Sequence, residues 1–222
     1  MFIAFDGIDA SGKTTQTKLL YERLKRKHVD VQVYSMGQEG YMDDIFLNLK
    51  LKQMKCDAEI RELLYYFEGV LFGKSIIEPL LGSSYKIAIV DRYLLSFYSY
   101  GPINGVSHKR IETLTQLMPW PDLYFFVDIS PDKTIERITK YRKVDAPEVG
   151  YKNQLSEDEE VNRRMFVIHQ KMIYDNYRKA VSLFGKSGKQ IVILDGNQSA
   201  DELSKIVYEK VNGYLNNLTK NF

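Results

Sequence analysis

The chain has 222 residues, within the range of a single α/β domain and long enough to bury a substantial core. Its 31 Lys and Arg residues nearly balance 29 Asp and Glu residues, so the formal net charge of +2 favours neither nucleic acid nor an acidic membrane as a partner. One cysteine, Cys56, rules out an internal disulfide, and no apolar run approaches the roughly 20 residues that cross a bilayer. The N-terminus lacks the features of a signal peptide, so we expect residues 1–222 to form one cytoplasmic domain.

The first predicted element is a strand over residues 2–5, and it leads directly into a Walker A pattern, GIDASGKT, at residues 7–14. Glycines allow consecutive backbone N–H groups to curl around phosphate oxygens, and the start of the predicted helix 15–27 adds partial positive charge. Lys13 is expected to reach the β- and γ-phosphates and Thr14 to supply a hydroxyl to Mg²⁺. The pattern therefore predicts ATP and Mg²⁺ as ligands, with phosphate contacts from Gly7, Asp9, Ala10, Ser11, Gly12, Lys13, Thr14 and Thr15.

Further apolar runs along the chain alternate with segments of helical length. Strands are predicted at 31–34, 87–90, 123–127 and 191–194, and helices at 59–81, 132–141 and 200–215. This alternation predicts a P-loop NTPase-type fold, a three-layer α/β/α arrangement around a five-stranded parallel sheet. Residues 140–159 are highly charged and include Pro147 and Gly150, which is typical of a mobile segment inside such a domain.

The strand at 87–90 ends in two residues with phosphate chemistry. Carboxyl ends of parallel strands are where open α/β sheets bind ligands, so Asp91 is a candidate ligand of Mg²⁺ or of its water; the alternative is a cap of a turn or helix. Arg92 can present two N–H groups to a second phosphate, or it can pair structurally with a carboxylate. Asp128 also ends a strand, but Ser130 and Pro131 begin a helix there, so helix capping is expected of it.

A phosphate loop is shared by kinases, switch GTPases and ATP-driven machines. The guanine-reading pattern [NT]-K-x-D is absent, and no D-x-x-G follows either candidate strand. The chain is also too short to carry the added modules of most mechanical ATPases. A compact phosphotransferase is therefore favoured.

Three motifs together resemble the thymidylate kinase family, collinearly over most of the chain: FDGIDASGKTTQ at 5–16, Asp91-Arg92-Tyr93, and the Pro121-Asp122-Leu123 that leads into a strand. Such enzymes pass the γ-phosphoryl of ATP to thymidine monophosphate (dTMP). The resemblance implies that Asp9 faces the sugar 3′-hydroxyl or the reacting phosphate region, and that Arg92 holds the 5′-phosphate. It also implies that Asp91 and Thr14 organise Mg²⁺.

The resemblance further places three residues on the acceptor side. Tyr65 would stack on the base, Tyr100 would pack beneath the deoxyribose, and Ser96 follows the Asp-Arg-Tyr motif at family spacing. From the residues alone, Tyr65 and Tyr100 read equally as core aromatics. The family also forms homodimers through helix packing, for which the helix at 59–81 is a candidate.

Ala10 stands where some members of the family carry an arginine, so the extra cation for the transferring phosphoryl is expected from a lid at 140–159. Candidates are Arg137, Lys140, Arg142 and Lys143, although a solvated charged loop explains each of them too. Arg142 is preferred because Arg137 lies within a helix and could pair with an acid. Lys13, Asp9, Arg92 and Arg142 then form the predicted catalytic set.

The chain departs from the family where the acceptor base is read. Gly69 replaces an arginine, Gly101 replaces a frequent glutamine, and residues 34–39 lack the usual arginine or Phe-Pro element. Base selectivity comes from hydrogen bonds in the pocket, so the phosphate motifs do not establish selectivity for thymine, and dTMP is the leading candidate among several acceptors. The alternatives are a kinase for another deoxynucleotide, a deoxynucleoside kinase with Glu39 as its base, and a nucleotide-binding regulator without turnover.

Overall fold

A computed structural model describes residues 1–36, 57–82, 86–150 and 153–219, and both Cys56 and Glu39 lie outside them. In these residues one parallel sheet has the strand order β2-β3-β1-β4-β5. Each predicted strand is confirmed to within one residue at either end. The strands are β1 Phe2–Asp6, β2 Asp30–Ser35, β3 Lys86–Asp91, β4 Leu123–Asp128 and β5 Val192–Asp195.

Helices connect and cover these strands, and the predicted helices are all present with shifted bounds. The helices are α1 Lys13–Lys25, α2 Ala58–Phe72, α3 Glu78–Leu81, α4 Leu94–Tyr100, α5 His108–Thr115, α6 Pro131–Ile138, α7 Glu159–Lys186 and α8 Ala200–Thr219. A π-helical turn, Gly73–Ile77, interrupts the predicted helix 59–81 between α2 and α3. A Cβ on Gly73 would lie 2.8 Å from Cδ of Pro119, so only glycine allows this close approach. None of the described helices is long and apolar enough to span a membrane.

The hydrophobic core has two layers, one on each face of the sheet. On β1, Phe2 and Ala4 pack into the layer beneath α2, α4 and α7, whereas Ile3 and Phe5 pack into the layer beneath α1 and α8. All four side chains are fully buried. Strands covered on both faces are the mark of a three-layer α/β/α fold, so the predicted fold class is confirmed.

The expectation that Asp128 caps a helix is wrong. The hydroxyl of Ser130 caps α6 by accepting from the backbone N–H of Lys133. Asp128 instead accepts a hydrogen bond of 2.8 Å from the Tyr174 hydroxyl and pairs with Arg178 at 3.4 Å, so it ties β4 to α7. A strand-end carboxylate cannot be assigned from its neighbours in sequence when its partner lies on a distant helix.

The segment between α6 and α7 contains regular structure and buried side chains in its described part. It contains a 3₁₀-helix, Ala146–Val149, and the side chains of Val144 and Val149 pack with Ile138 and Phe166 in a small buried cluster. The described part of the segment therefore packs on the first half of α7. Its mobility stays a prediction, as does the organisation of residues 1–222 as one domain.

Candidate active site

The loop between β1 and α1 has the backbone form of an anion site. Ala10 and Gly12 adopt left-handed φ values of 58° and 101°, and such alternation of handedness makes a concave array of N–H groups. A Cβ on Gly7 would lie 3.0 Å from the carbonyl oxygen of Val127, so the loop needs glycine to leave the sheet here. The Ser11 hydroxyl oxygen is buried and has no hydrogen-bond partner in the described residues. The loop is thus preformed, and the Ser11 hydroxyl is available to bind a phosphate.

Lys13 begins α1 and lies folded across the loop. Its side chain is buried, and Nζ donates to the carbonyl oxygen of Ile8 at 3.3 Å. Burial and the Arg92 guanidinium lower the pKa of Lys13 to about 8, against the opposing effect of the Asp9 and Asp91 carboxylates. A bound phosphate would raise this pKa again, because a nearby negative charge favours the charged ammonium group.

Thr14 and Asp91 meet where β3 ends. The Thr14 hydroxyl donates to Oδ2 of Asp91 at 2.5 Å, and Oδ1 of Asp91 is buried with no hydrogen-bond partner in the described part of the chain. A carboxylate oxygen and a hydroxyl are hard ligands that fit Mg²⁺. No group of three or more His, Cys, Asp or Glu residues among those described could hold a metal ion. An ion between Thr14 and Asp91 would therefore take its other ligands from water and phosphates, as Mg²⁺ commonly does.

Arg92 follows Asp91 and links the strand end to the phosphate loop. Its backbone is left-handed, with φ 68°, and its side chain forms an ion pair through Nη2 with Oδ1 of Asp9. Nη1 donates to the Tyr100 hydroxyl at 3.1 Å. Burial opposes the charge of Asp9, but Arg92 and Lys13 hold the pKa of its carboxyl below the usual range. The two cations and one carboxylate thus form a charged cluster beside the loop.

A buried cluster around Asp6, the last residue of β1, was not predicted. Its carboxylate accepts from the backbone N–H of Tyr93 at 3.1 Å, from the Tyr124 hydroxyl at 2.5 Å and from the Tyr177 hydroxyl at 3.1 Å. Burial raises the pKa of Asp6 despite these donors. Ser96 also donates to Asp6. The predicted acceptor contact of Ser96 stays a prediction, because its hydroxyl here serves the cluster that anchors the loop.

The structure reverses the expected surroundings of Arg137 and Arg142. Arg142 is paired with acids: it donates to both oxygens of Glu148, at 2.5 and 2.9 Å, and to Asp145 at 3.2 Å. The hydrogen bond to Glu148 raises the pKa of Arg142. Of the lysines in the segment, Lys143 pairs with Glu159 at 2.6 Å. Lys140 is exposed.

Arg137, by contrast, lies against the phosphate loop. Its guanidinium donates to the carbonyl oxygen of Ser11 at 3.1 Å and to that of Gly196, after β5, at 2.5 Å. Arg137 therefore bridges the loop and the β5 end and pairs with no acid among the described residues. The direction of its side chain, set by tertiary packing of α6, could not be deduced from the local sequence.

A cavity of about 470 Å³ opens between the phosphate loop and the residues after β5. Its size is typical of small-ligand sites. It is lined by residues 10–16 of the loop and α1, by Arg137 of α6, by Tyr141 after α6, and by Gly196, Gln198, Ala200 and Leu203. The cavity adjoins the N-terminus of α1, so it can take the nucleoside of a ligand whose phosphates lie in the loop.

Tyr65 and Tyr66 are adjacent on α2 but have different environments. Tyr66 is fully buried, and its hydroxyl donates to the carbonyl oxygen of Phe97 at 2.6 Å. Tyr65 is half-buried and packs at the edge of the same core layer. Its predicted stacking on a base stays a prediction, which its partial exposure allows.

The two glycines that depart from the family pattern lie where α2 packs against α4. A Cβ on Gly69 would lie 2.7 Å from Cε of Met118 and 2.8 Å from Cζ of Phe97. A Cβ on Gly101 would lie 2.7 Å from the carbonyl oxygen of Phe97. The space that a larger residue would need at position 69 is thus filled by Phe97 and Met118.

The site combines a preformed phosphate loop and its lysine with a Thr–Asp pair suited to Mg²⁺. Arg92 lies beside them. These are the features of a P-loop kinase. The family model described as thymidylate kinase matches residues 5–207. A thymidylate kinase from Acholeplasma laidlawii is 27% identical over 218 residues, with 95% of this chain and 98% of the relative covered. One from Halothermothrix orenii is 27% identical over 220 residues, covering 97% and 98%. A probable thymidylate kinase from Sulfurisphaera tokodaii is 34% identical over 139 residues, covering 63% and 69%.

The chain therefore belongs to the thymidylate kinase family. The activity predicted from its motifs, phosphotransfer from ATP, is the activity of this family, and the chain is an ATP-dependent phosphotransferase.

Proposed function

We propose that the protein transfers the γ-phosphoryl of ATP to dTMP and releases dTDP and ADP. Beyond family membership, the observation that carries the proposal is the contact between Asp9 of the phosphate loop and Arg92 of the β3 end. This contact puts the guanidinium of Arg92 near Lys13, so the site has a second cation besides the lysine that binds the ATP phosphates. A monophosphate acceptor needs such a cation, and a nucleoside acceptor does not.

On the donor side, the loop holds the phosphates of ATP and the 470 Å³ cavity holds its nucleoside. Lys13 contacts the β- and γ-phosphates, and the spare hydroxyl of Ser11 supports a further phosphate contact. Thr14 and Asp91 would hold Mg²⁺, which would neutralise charge on the transferring phosphoryl. The chain's own contribution is to position donor and acceptor in line and to exclude water.

On the acceptor side, Arg92 holds the 5′-phosphate and Tyr100, to which it is hydrogen-bonded, lies beneath the sugar. Asp9 orients Arg92, and Tyr65 contacts the base. Arg142 can serve the phosphoryl group only after it leaves Glu148, whereas Arg137 already lies at the loop. We therefore assign the donor-side contact to Arg137 and the lid contact to Arg142 in a closed state.

The test is Mg·ATP-dependent ADP release with the monophosphates of thymidine, deoxyuridine, deoxycytidine, deoxyguanosine and deoxyadenosine, and with thymidine. Fastest turnover with dTMP supports the proposal. Faster turnover with another monophosphate or with thymidine would show that dTMP is not the preferred acceptor. Nucleotide binding without ADP release over hours would identify a regulator.

Arg92→Lys keeps the charge but loses the two-pronged geometry. We expect it to raise KM for dTMP by about 10- to 100-fold while KM for ATP changes little, because a charge-assisted bidentate contact contributes about 1.5–3 kcal/mol. An effect confined to ATP would contradict the assignment.

We also propose a homodimer formed through α2. Ile60, Phe67 and Leu71 recur along one side of this helix and are 56%, 51% and 43% exposed. Phe67→Lys is expected to convert a dimer to a monomer in light scattering. Leu183→Lys, at a similarly exposed leucine of α7, is the matched control and should leave the mass unchanged.

A further inference from the structure

Gln170, in the middle of α7, binds Asp9 with both ends of its side-chain amide. Nε2 donates to Oδ2 of Asp9 at 2.8 Å, and Oε1 accepts from the backbone N–H of Asp9 at 3.2 Å. In the opposite orientation, the amide oxygen of Gln170 would face the Asp9 carboxylate, and its NH₂ group would face the backbone N–H of Asp9. Two acceptors and two donors would then oppose each other, so only the observed orientation allows both hydrogen bonds. Gln170 is fully buried, which makes this clamp a built feature of the site.

The clamp decides how Asp9 meets Arg92. With Oδ2 held by Gln170, Asp9 reaches Arg92 through Oδ1 alone, and this contact uses only Nη2 of the guanidinium. An arginine has five N–H donors, and a free carboxylate tends to take two of them side by side. An unclamped Asp9 could therefore occupy the edge of Arg92 that an acceptor phosphate needs.

We propose that Gln170 is a positioning residue for the acceptor: it restricts Asp9 to a single-oxygen contact with Arg92 and so keeps the guanidinium available for a nucleotide monophosphate. The inference rests on the proposed function, in which Arg92 holds that phosphate. In this proposal Gln170 acts through Asp9, which it contacts directly.

Two variants of Gln170 and one control variant test the proposal. Each is titrated calorimetrically with dTMP and, separately, with Mg·ATP, at pH 8 and at pH 5.5. Gln170→Met cannot donate at any pH, and we expect about 10- to 100-fold weaker dTMP binding than wild type at both. Gln170→Glu places two carboxylates against each other, so one pKa of the pair rises strongly. At pH 8 its dTMP binding should be as weak as that of the Met variant; at pH 5.5 the protonated Glu donates to Asp9 and binding should return to within about threefold of wild type.

The matched control is Asn162→Leu. Asn162 is a buried amide on α7 that makes two hydrogen bonds to Ser156, at 2.8 and 2.9 Å, whereas Gln170 makes two to Asp9 and a longer one, of 3.5 Å, to the carbonyl oxygen of Glu148. This variant should bind dTMP as wild type does at both pH values. Lys13, Arg92, Arg142 and His169 also interact electrostatically with Asp9, and they are common to all the proteins compared. Each variant is therefore expressed relative to wild type at the same pH.

Equal loss of dTMP and ATP binding would show that Gln170 only supports the fold of the loop, and unchanged dTMP binding in Gln170→Met would also overturn the proposal. If Gln170→Met does not fold, the pH recovery within Gln170→Glu decides alone: no recovery refutes it. Failure of the proposed function is a separate result, because wild type itself would then bind no dTMP.

Discussion

Glu62 offers a test of the electrostatics of the α2 layer. Its side chain is 6% exposed, and Oε2 accepts from Nδ2 of Asn104 at 2.9 Å. Burial raises the pKa of this carboxyl from 4.5 to about 7, against the opposing effects of that hydrogen bond and of Arg61. The native protein therefore holds the proton of Glu62 more tightly than the unfolded chain does, by about 3 kcal/mol.

Glu62→Gln keeps an oxygen for Asn104 and removes the charge. Because the native pKa is raised, the contribution of Glu62 to stability is fully present below pH 4.5 and is lost as the pH rises through about 7. The variant does not undergo this loss. We expect its free energy of unfolding to match that of wild type near pH 4.5 and to exceed it by about 1–3 kcal/mol at pH 8.

Urea unfolding followed by circular dichroism between pH 4.5 and pH 8 measures this difference. Glu112→Gln, at an exposed glutamate of α5, is the control and should give a constant difference from wild type. Parallel pH curves for wild type and Glu62→Gln would refute the assignment of a buried, proton-binding carboxyl.

Two further predictions concern the loop and the α2–α4 contact. ATP binding at pH 8.5 should be accompanied by uptake of a fraction of a proton, because the phosphates raise the pKa of Lys13 again from about 8. Calorimetric titration in two buffers of different ionisation enthalpy measures this proton uptake. Lys13→Met should abolish the uptake. Gly69→Ala should lower the melting temperature, since its Cβ meets Phe97 at 2.8 Å and overpacking costs about 1–3 kcal/mol. Gly213→Ala, on α8 with open space around it, should instead gain up to about 1 kcal/mol, so equal shifts for the two would show that packing is not the cause.

The donor half of the site could be predicted from the sequence because its parts are local. The phosphate loop is eight consecutive residues, and Asp91 is recognisable as the end of a buried strand. The same logic applies to Asp6, which also ends a buried strand and also carries a carboxylate. It was not singled out because its partners, Tyr124 and Tyr177, lie 118 and 171 residues away.

The parts that could not be predicted depend on helices whose direction is set by packing. Gln170 lies 161 residues from Asp9, on a helix of 28 residues in which polar side chains are common. Arg137 and Arg142 are five residues apart, and charge patterning alone does not tell which one meets the loop. Two acids of its own segment, Glu148 and Asp145, engage Arg142, whereas Arg137 donates to backbone carbonyl oxygens at the loop and after β5.

The α2–α4 contact includes Gly69 and Gly101, the two positions at which the chain departs from the family pattern, and we expect it to affect how the acceptor is selected. An arginine at position 69 would have to displace both Phe97 and Met118, and a glutamine at 101 would meet the carbonyl oxygen of Phe97. Neither residue can therefore be restored singly, because the two glycines and the packed aromatics form one arrangement. In the proposed function Arg92 holds the acceptor phosphate, and its side chain contacts Asp9 and Tyr100 rather than Phe97 or Met118. Selectivity among bases can thus differ from that of relatives while the transfer chemistry is retained, and the panel of monophosphates measures the two separately.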